Sequence, residues 1–188
     1  ENAEAFTELE TAITRMSDLI ESLRKATSVS EGTGKKTLQK ADLYEIITDA
    51  IAIKEQASQK KKQKIVLDME QQIYVEVDRE LIEGVVMELI DNASSFSPES
   101  TQIEMNASRK GRTVTVSVKD HGYGVPAEDM SKMFREFKRA SNASKYKPVG
   151  NGLGLFVSRR IIELSGGRMW LESEEGKGTT VWFTLPVA

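Results

Sequence analysis

The sequence predicts an α/β fold: a two-layer sandwich whose mixed sheet carries helices on one face, preceded by a helix belonging to a separate bundle. Three observations predict it. Apolar and polar residues alternate over several short segments, the period-two signature of half-buried strands. Elsewhere apolar residues recur every three or four positions, as amphipathic helices require. The two patterns also follow one another irregularly, with helices bunched between neighbouring antiparallel strands. An apolar share of 39% is enough for a sizeable core.

The first segment, residues 1–29, reads as one helix. Phe6, Leu9, Ile13, Met16, Ile20 and Leu23 step by three and four, and Ala5, Ala12, Leu19 and Ala26 widen the seam. A lone helix of this length is marginal in water. It either packs on its own domain or joins a dimeric bundle, and so regular a seam ahead of a linker favours the bundle. The stretch "SVSEGTGKK", Ser28–Lys36, is rich in Ser, Gly and Thr and marks the boundary. Residues 30–37 are the expected linker and 38–188 the main domain.

Within that domain, "TLQKADL" predicts a short strand and a helix capped by Asp42, with apolar Leu43, Ile46, Ile47, Ala50 and Ile53. The lysines from Lys60 to Lys64 suit the end of that helix and solvent better than nucleic acid. Strands are expected near "KIVLDM" and "IYVEV", then a helix from Asp78 to about Ser94. The segments "TQIEMNAS" and "RTVTVSVKD" read as two more strands. A short helix near Ala127–Met133 precedes an irregular stretch, Phe134–Val149, and a glycine-opened helix follows. The strands "GRMWLES" and "TTVWFTL", joined by the turn "EEGKG", close the chain; Trp170 and Trp182 on them are core or cross-strand residues.

Composition removes several classes of function. The net charge is 26 minus 29, or −3, so no basic field favours nucleic acid. With no cysteine, disulfides, thiol catalysis and cysteine–zinc sites are excluded, and the single histidine, His121, excludes a histidine-rich metal cluster. No apolar run approaches the roughly 18 residues that a membrane span needs. A cytoplasmic location is expected for this chain. Its start at Glu1 marks it as an expected piece of a longer protein, whose membrane attachment stays open.

Four clusters carry candidate chemistry. In "ELIDNASSFSP", Glu88 and Asn92 are four apart and share a helix face. An amide oxygen there can enter the oxygen shell of Mg²⁺, and a carboxylate can orient water or accept a proton; an exposed helix face would look the same. In "DHGYGVP", Asp120 ends a strand and Gly122 and Gly124 follow. An acceptor beside bare backbone suits a flat heterocycle with an exocyclic amine, and equally a tight turn. In "GNGLGL", Gly150, Gly152 and Gly154 alternate at the start of a helix, where N–H groups and the helix dipole favour phosphate. The motif is neither a Walker loop nor a dinucleotide fingerprint. In "GKGTT", a turn places hydroxyls at the start of the last strand.

In this order the clusters resemble the ATP-binding catalytic domain of sensor histidine kinases, in the superfamily shared with type II topoisomerases, mismatch-repair ATPases and chaperone ATPases. "ELIDNASSFSP" is similar to the asparagine box, "DHGYGVP" to the first glycine box and "MFREFKRA" to the phenylalanine box, through Phe134 and Phe137. "GNGLGL" is similar to the second glycine box and "GKGTTVWFTLP" to the last. The resemblance runs from about Leu38 to Val187, and residues 1–29 resemble half of the family's dimerisation domain.

The resemblance implies a Bergerat-type ATP-binding fold, ATP and Mg²⁺ as cofactors, and transfer of a phosphoryl group to a histidine. Asp120 would accept from the adenine amine, with Gly122, Gly124 and Val125 beside it. Asn92 would hold the metal, with Glu88 serving its shell or the reacting groups. Arg139, Gly150, Asn151, Gly152, Leu153, Gly154, Leu155 and Thr180 would complete the nucleotide site. Phe134–Val149 would be a lid, with Arg135, Lys138, Arg139, Lys145 and Lys147 set against the single acid Glu136. The implied partners are a response-regulator receiver domain and a second copy, paired through the N-terminal helix; no nucleic acid is implied. Two positions depart from the family: Ser95 stands where many members carry a cation, and Asn151 where threonine is common. No histidine lies on the N-terminal helix, so the phosphoacceptor is expected upstream, on another chain, or nowhere. Competing readings are a serine kinase of the anti-sigma-factor type and a non-catalytic ATP-binding module.

Overall fold

The computed structural model describes residues 38–148 and 150–188. The expected bundle helix (1–29) and linker (30–37) lie outside the described residues. A short strand, β1 (Gln39–Asp42), runs straight into helix α1 (Leu43–Lys60). Asp42 caps that helix by accepting the Tyr44 N–H at 3.0 Å, a bond worth about 1 kcal/mol. The buried stripe of α1 comprises Leu43, Ile46, Ile47 and Ala50. Ile53, expected on the same face, is 57% exposed, and Ser58 is buried further along.

Strands β2 (Lys64–Met69) and β3 (Tyr74–Val77) follow, then helix α2 (Arg79–Ser95). Asp78 caps α2, its Oδ1 accepting from the Leu81 N–H. Beyond it come β4 (Gln102–Lys110), β5 (Thr113–Asp120), a one-turn helix α3 (Ala143–Tyr146), helix α4 (Gly154–Leu164), β6 (Met169–Glu174) and β7 (Gly178–Pro186). The expected helix over Ala127–Met133 shrinks to a single 3₁₀ turn, Met130–Lys132. Tight bonds from Asp129 N–H to Pro126 and from Lys132 N–H to Asp129 hold this stretch in turns, so no α-helical ladder develops.

Five strands form one sheet in the order β2-β4-β5-β7-β6. The β2–β4 pair is parallel because β3 and α2 lie between them in the chain; the other three pairs are antiparallel. A separate two-stranded sheet, β1–β3, touches the large one through a Val75–Val187 bridge. Alternation along the strands gives the sheet one apolar face. Ile103, Met105, Val114, Val116, Phe183 and Leu185 are all fully buried beneath the helices. The other face is mostly polar; on it Trp170 and Trp182 pair across β6 and β7 and stack at 6.1 Å with an interplanar angle of 5°. They are cross-strand residues, not core.

Helix α2 lies between α1 and α4 and runs over β4 and β5. Its buried face, Ile82, Val85, Val86, Leu89 and Ile90, leaves Glu88 and Asn92 at the margin of the core. Full burial of each such aliphatic side chain contributes roughly 1.5–3 kcal/mol. The C-terminal end of α2 has no basic residue of its own. The connection after α1 supplies the partners: Lys61 Nζ donates to the carbonyls of Ser94 (2.5 Å) and Ser97 (3.2 Å). Gln63, 5% exposed, donates to Ser94, Ser97 and Pro98 and accepts from the Ser94 hydroxyl at 2.6 Å. Part of the lysine run thus serves the neighbouring helix.

Candidate functional site

A cavity opens between the second half of α2, the end of β5, the start of β7, the segment 133–147 and the start of α4. Most of the residues picked out in the sequence meet there. Glu88, Asn92, Asp120, Gly124, Val125, Arg139, Gly150, Asn151, Gly152, Gly154 and Leu155 all line it.

Asp120 is brought in by the last residue of β5 and is 7% exposed. Its Oδ1 accepts the Gly122 N–H at 2.9 Å and the Thr179 N–H at 3.1 Å. Both bonds fall on one oxygen, which leaves Oδ2 to accept from a ligand. Burial pushes its carboxyl up to about 6, against the pull of these two N–H donors and of nearby His121. His121 itself turns away, its Nε2 2.6 Å from Glu104 Oε1 on the polar side of the sheet.

At the other end, the Asn92 amide donates from Nδ2 to Glu88 Oε1 at 2.9 Å. Using the amine side in this way presents the amide oxygen as an acceptor. Burial raises the Glu88 carboxyl above its ordinary value, opposed first by the positive charge of Lys147 and then by the Asn92 bond. Among the described residues no group of three or more acidic, His or Cys side chains could enclose a metal. One amide oxygen and one carboxylate instead fit Mg²⁺, which takes few protein oxygens and keeps the rest of its shell for water and phosphate.

The glycines of the second box do two different jobs. Gly152 has φ +69, and a Cβ there would press on the backbone of Phe137 and Lys138 at 2.8 Å. At Gly154 a methyl group would overlap the Glu88 carboxylate. The missing side chain at Gly154 therefore makes room for a side chain of α2. Leu153 does not line the cavity; it is 1% exposed in the core, and its N–H is taken by Asn151 Oδ1 at 3.0 Å. The first N–H groups of α4 have no intrahelical acceptor and stay available to an anion.

Besides Leu153, three expected site residues stand differently from the expectation. Thr180 lies on the polar face of the sheet, paired with Glu172 and Lys119. Its neighbour Thr179 lines the cavity, and a signal for this existed: Thr179 shares strand parity with the buried Val181, Phe183 and Leu185. Gly122 does not line the cavity and contributes through its N–H to Asp120. Arg139 reaches the cavity, but its guanidinium donates to the carbonyls of Lys147, Pro148 (3.3 Å) and Gly150 (3.5 Å). It holds the end of the expected lid together. That lid carries a small core of its own, Ala140 and Ala143 against Val125, Phe96, Met130 and Met133. Phe134 packs on the main core under the Arg159 guanidinium, while Phe137 is 58% exposed.

Phe96, Lys138 and Lys147 also line the cavity. Tyr146, in α3, stacks on Tyr123 of the first glycine box at 3.5 Å and 6°, a contact between residues far apart in sequence that no local pattern announces.

This arrangement coincides with a shared family. Residues 77–188 match the family described as histidine kinase-, DNA gyrase B- and HSP90-like ATPases, and the chain belongs to it. It is similar to the sensor histidine kinase WalK of Bacillus subtilis strain 168, 39% identical over 116 residues, covering 61% of this chain and 19% of the relative. It also matches a WalK sensor protein kinase of Staphylococcus epidermidis, 34% identical over 119 residues, covering 62% of this chain and 20% of that protein. The chain thus spans about a fifth of the length of these curated relatives. Among solved structures it superposes on the catalytic domain of histidine kinase ThkA with a TM-score of 0.70 and 28% identity, covering 79% of this chain and 95% of that one.

Proposed function

We propose that the chain is the ATP-binding kinase core of a sensor histidine kinase. It passes the γ-phosphoryl group of ATP to a histidine on a helix outside this chain, for relay to an aspartate of a response-regulator receiver domain. Pairing with a second copy through residues 1–29 belongs to the same proposal. The observation that carries it is the two-ended cavity. At one end Asp120 keeps an acceptor oxygen free for the adenine amine. At the other, Glu88, Asn92 and the start of α4 gather where a polyphosphate would lie.

The chemistry asked of the protein is chiefly positioning and charge neutralisation. A histidine ring nitrogen attacks the γ-phosphorus in line; the bond to the bridging oxygen breaks, and ADP leaves with that electron pair. Asn92 Oδ1, with Glu88 beside it, would hold Mg²⁺, which would neutralise phosphate charge. The N–H groups at the start of α4 hold phosphate oxygens. Glu88 orients the reacting groups or takes the proton released from the imidazole.

The test supplies the missing acceptor: the chain extended upstream into a helix bearing a histidine, incubated with radioactive ATP and Mg²⁺. The reading predicts label that is acid-labile and base-stable, absent from the present chain alone and lost with Glu88→Gln. Acid-stable label on a hydroxyl would overturn it in favour of the serine-kinase reading.

A further inference from the structure

Strand β6 lies at an edge of the five-stranded sheet and pairs with β7 alone. Strand parity fixes where its remaining backbone groups point. The Thr184 N–H donates to the Arg168 carbonyl at 2.8 Å, whereas the Val187 N–H donates to Arg112, beside β5, at 2.9 Å. Even positions of β7 therefore serve β6, and Trp170 and Glu172, opposite Trp182 and Thr180, turn their backbone groups inward to them. Met169 and Leu171 turn theirs outward, off the edge of the sheet. Among the described residues no hydrogen bond from beyond that edge meets them.

The open face beside this edge carries an ordered set of side chains. Arg168, Trp170 and Glu172 follow at steps of two and share the face, and all three are exposed. Among the described residues neither Arg168 nor Glu172 forms an ion pair. The neighbouring charges are already matched, Glu174 with Lys177 at 2.7 Å and Lys119 with Glu104 at 3.4 Å. About Trp170 the order is cation, ring, anion. A half-turn of that pattern complements the original, as a two-fold contact requires.

We propose that β6 is a contact between copies of this chain, pairing antiparallel with the same strand of a second copy about a two-fold axis at Trp170. In this register Met169 of each copy exchanges backbone hydrogen bonds with Leu171 of the other. Trp170 meets its counterpart at a non-hydrogen-bonded position, where opposed side chains approach most closely. Trp182, stacked on Trp170, lengthens the aromatic row on both sides. Arg168 of each copy faces Glu172 of the other. Centring the pair on Arg168 or on Glu172 would set like charges opposite one another, which is destabilising. Charges on an edge strand commonly block such pairing; here their opposite signs select one register. The contact is separate from pairing through residues 1–29 and does not depend on the ATP reading.

Both tryptophans of the chain belong to this row, so their emission reports the contact and not the N-terminal helix. The experiment follows acrylamide quenching of tryptophan fluorescence in the whole chain from micromolar to millimolar concentration, beside sedimentation equilibrium. The wild type should become harder to quench as it associates. Arg168→Glu alone and Glu172→Arg alone turn both attractive pairs into repulsive ones, and each should weaken this association about tenfold. An equimolar mixture of the two variants should recover it, as should the double exchange Arg168→Glu/Glu172→Arg. Quenching independent of concentration in the wild type would overturn the proposal. So would single variants that associate like the wild type, or a mixture that recovers nothing; none of these results touches the ATP reading.

Discussion

Asp120 combines a functional demand with an energetic cost. It accepts from an adenine amine most strongly when ionised, yet burial holds its carboxyl up at about 6, well above the ordinary aspartate value. A folded-state value above the unfolded one means the native chain binds more protons between the two. Stability therefore falls as pH rises from about 4 to 6, and is flat above that. Binding runs the other way. Adenosine, which has no phosphate to titrate here, should bind about three- to fivefold more weakly at pH 5.5 than at pH 7.5. Urea denaturation should show Asp120→Asn gaining on the wild type as pH rises over the same range. A pH-independent difference between the two would show that the carboxyl does not titrate in this window. Much at this scale was legible in the sequence, because Asp120 ends an unmistakable strand and Asn92 and Glu88 share a helix face. Thr180 lies on the strand face away from the cavity that Thr179 lines, since which hydroxyl faces inward depends on strand parity after the Gly178 turn. The purpose of Gly154 was hidden because the group it accommodates, Glu88, lies 66 residues earlier.

Helix α2 is the element on which the site is built, and its end is secured from outside. Gln63 satisfies three carbonyls after Asn92 and receives the Ser94 hydroxyl, all in a buried setting. Gln63→Ala leaves these groups without partners and should cost about 1–3 kcal/mol, measured by chemical denaturation. Because those carbonyls flank Phe96, which lines the cavity with Asn92, nucleotide affinity should fall in the same variant. Full stability in Gln63→Ala would mean that water replaces the side chain at no cost. The strands and long helices were plain from periodicity and from the caps Asp42 and Asp78. The role of Lys61 and Gln63 was not. Lysines after a helix look alike whether they are solvated or reach across to another helix, and only the packing of α1 on α2 decides.

At the scale of the molecule, the polarised sheet places the long helices α1, α2 and α4 on one side, and the cavity forms where α2, β5, β7 and α4 converge with segment 133–147. The order of the boxes along the chain pointed to that convergence, because the boxes mark strand ends and helix termini that line the same cleft. The lid's interior was beyond reach. Its packing relies on Val125 and Phe96, and its stack on Tyr123, all contributed from elsewhere in the chain. The proposed nucleotide orientation depends on adenine lying against Asp120. Calorimetric titration of Mg·ATP into the chain and into Asp120→Asn tests it most directly. An amide accepts less strongly than a carboxylate and can turn a donor towards the amine, so affinity should drop roughly ten- to a hundredfold, about 1.5–3 kcal/mol for a charge-assisted bond in a buried site. Equal affinity in the two proteins would contradict the placement of adenine there, and with it the orientation proposed for the whole nucleotide.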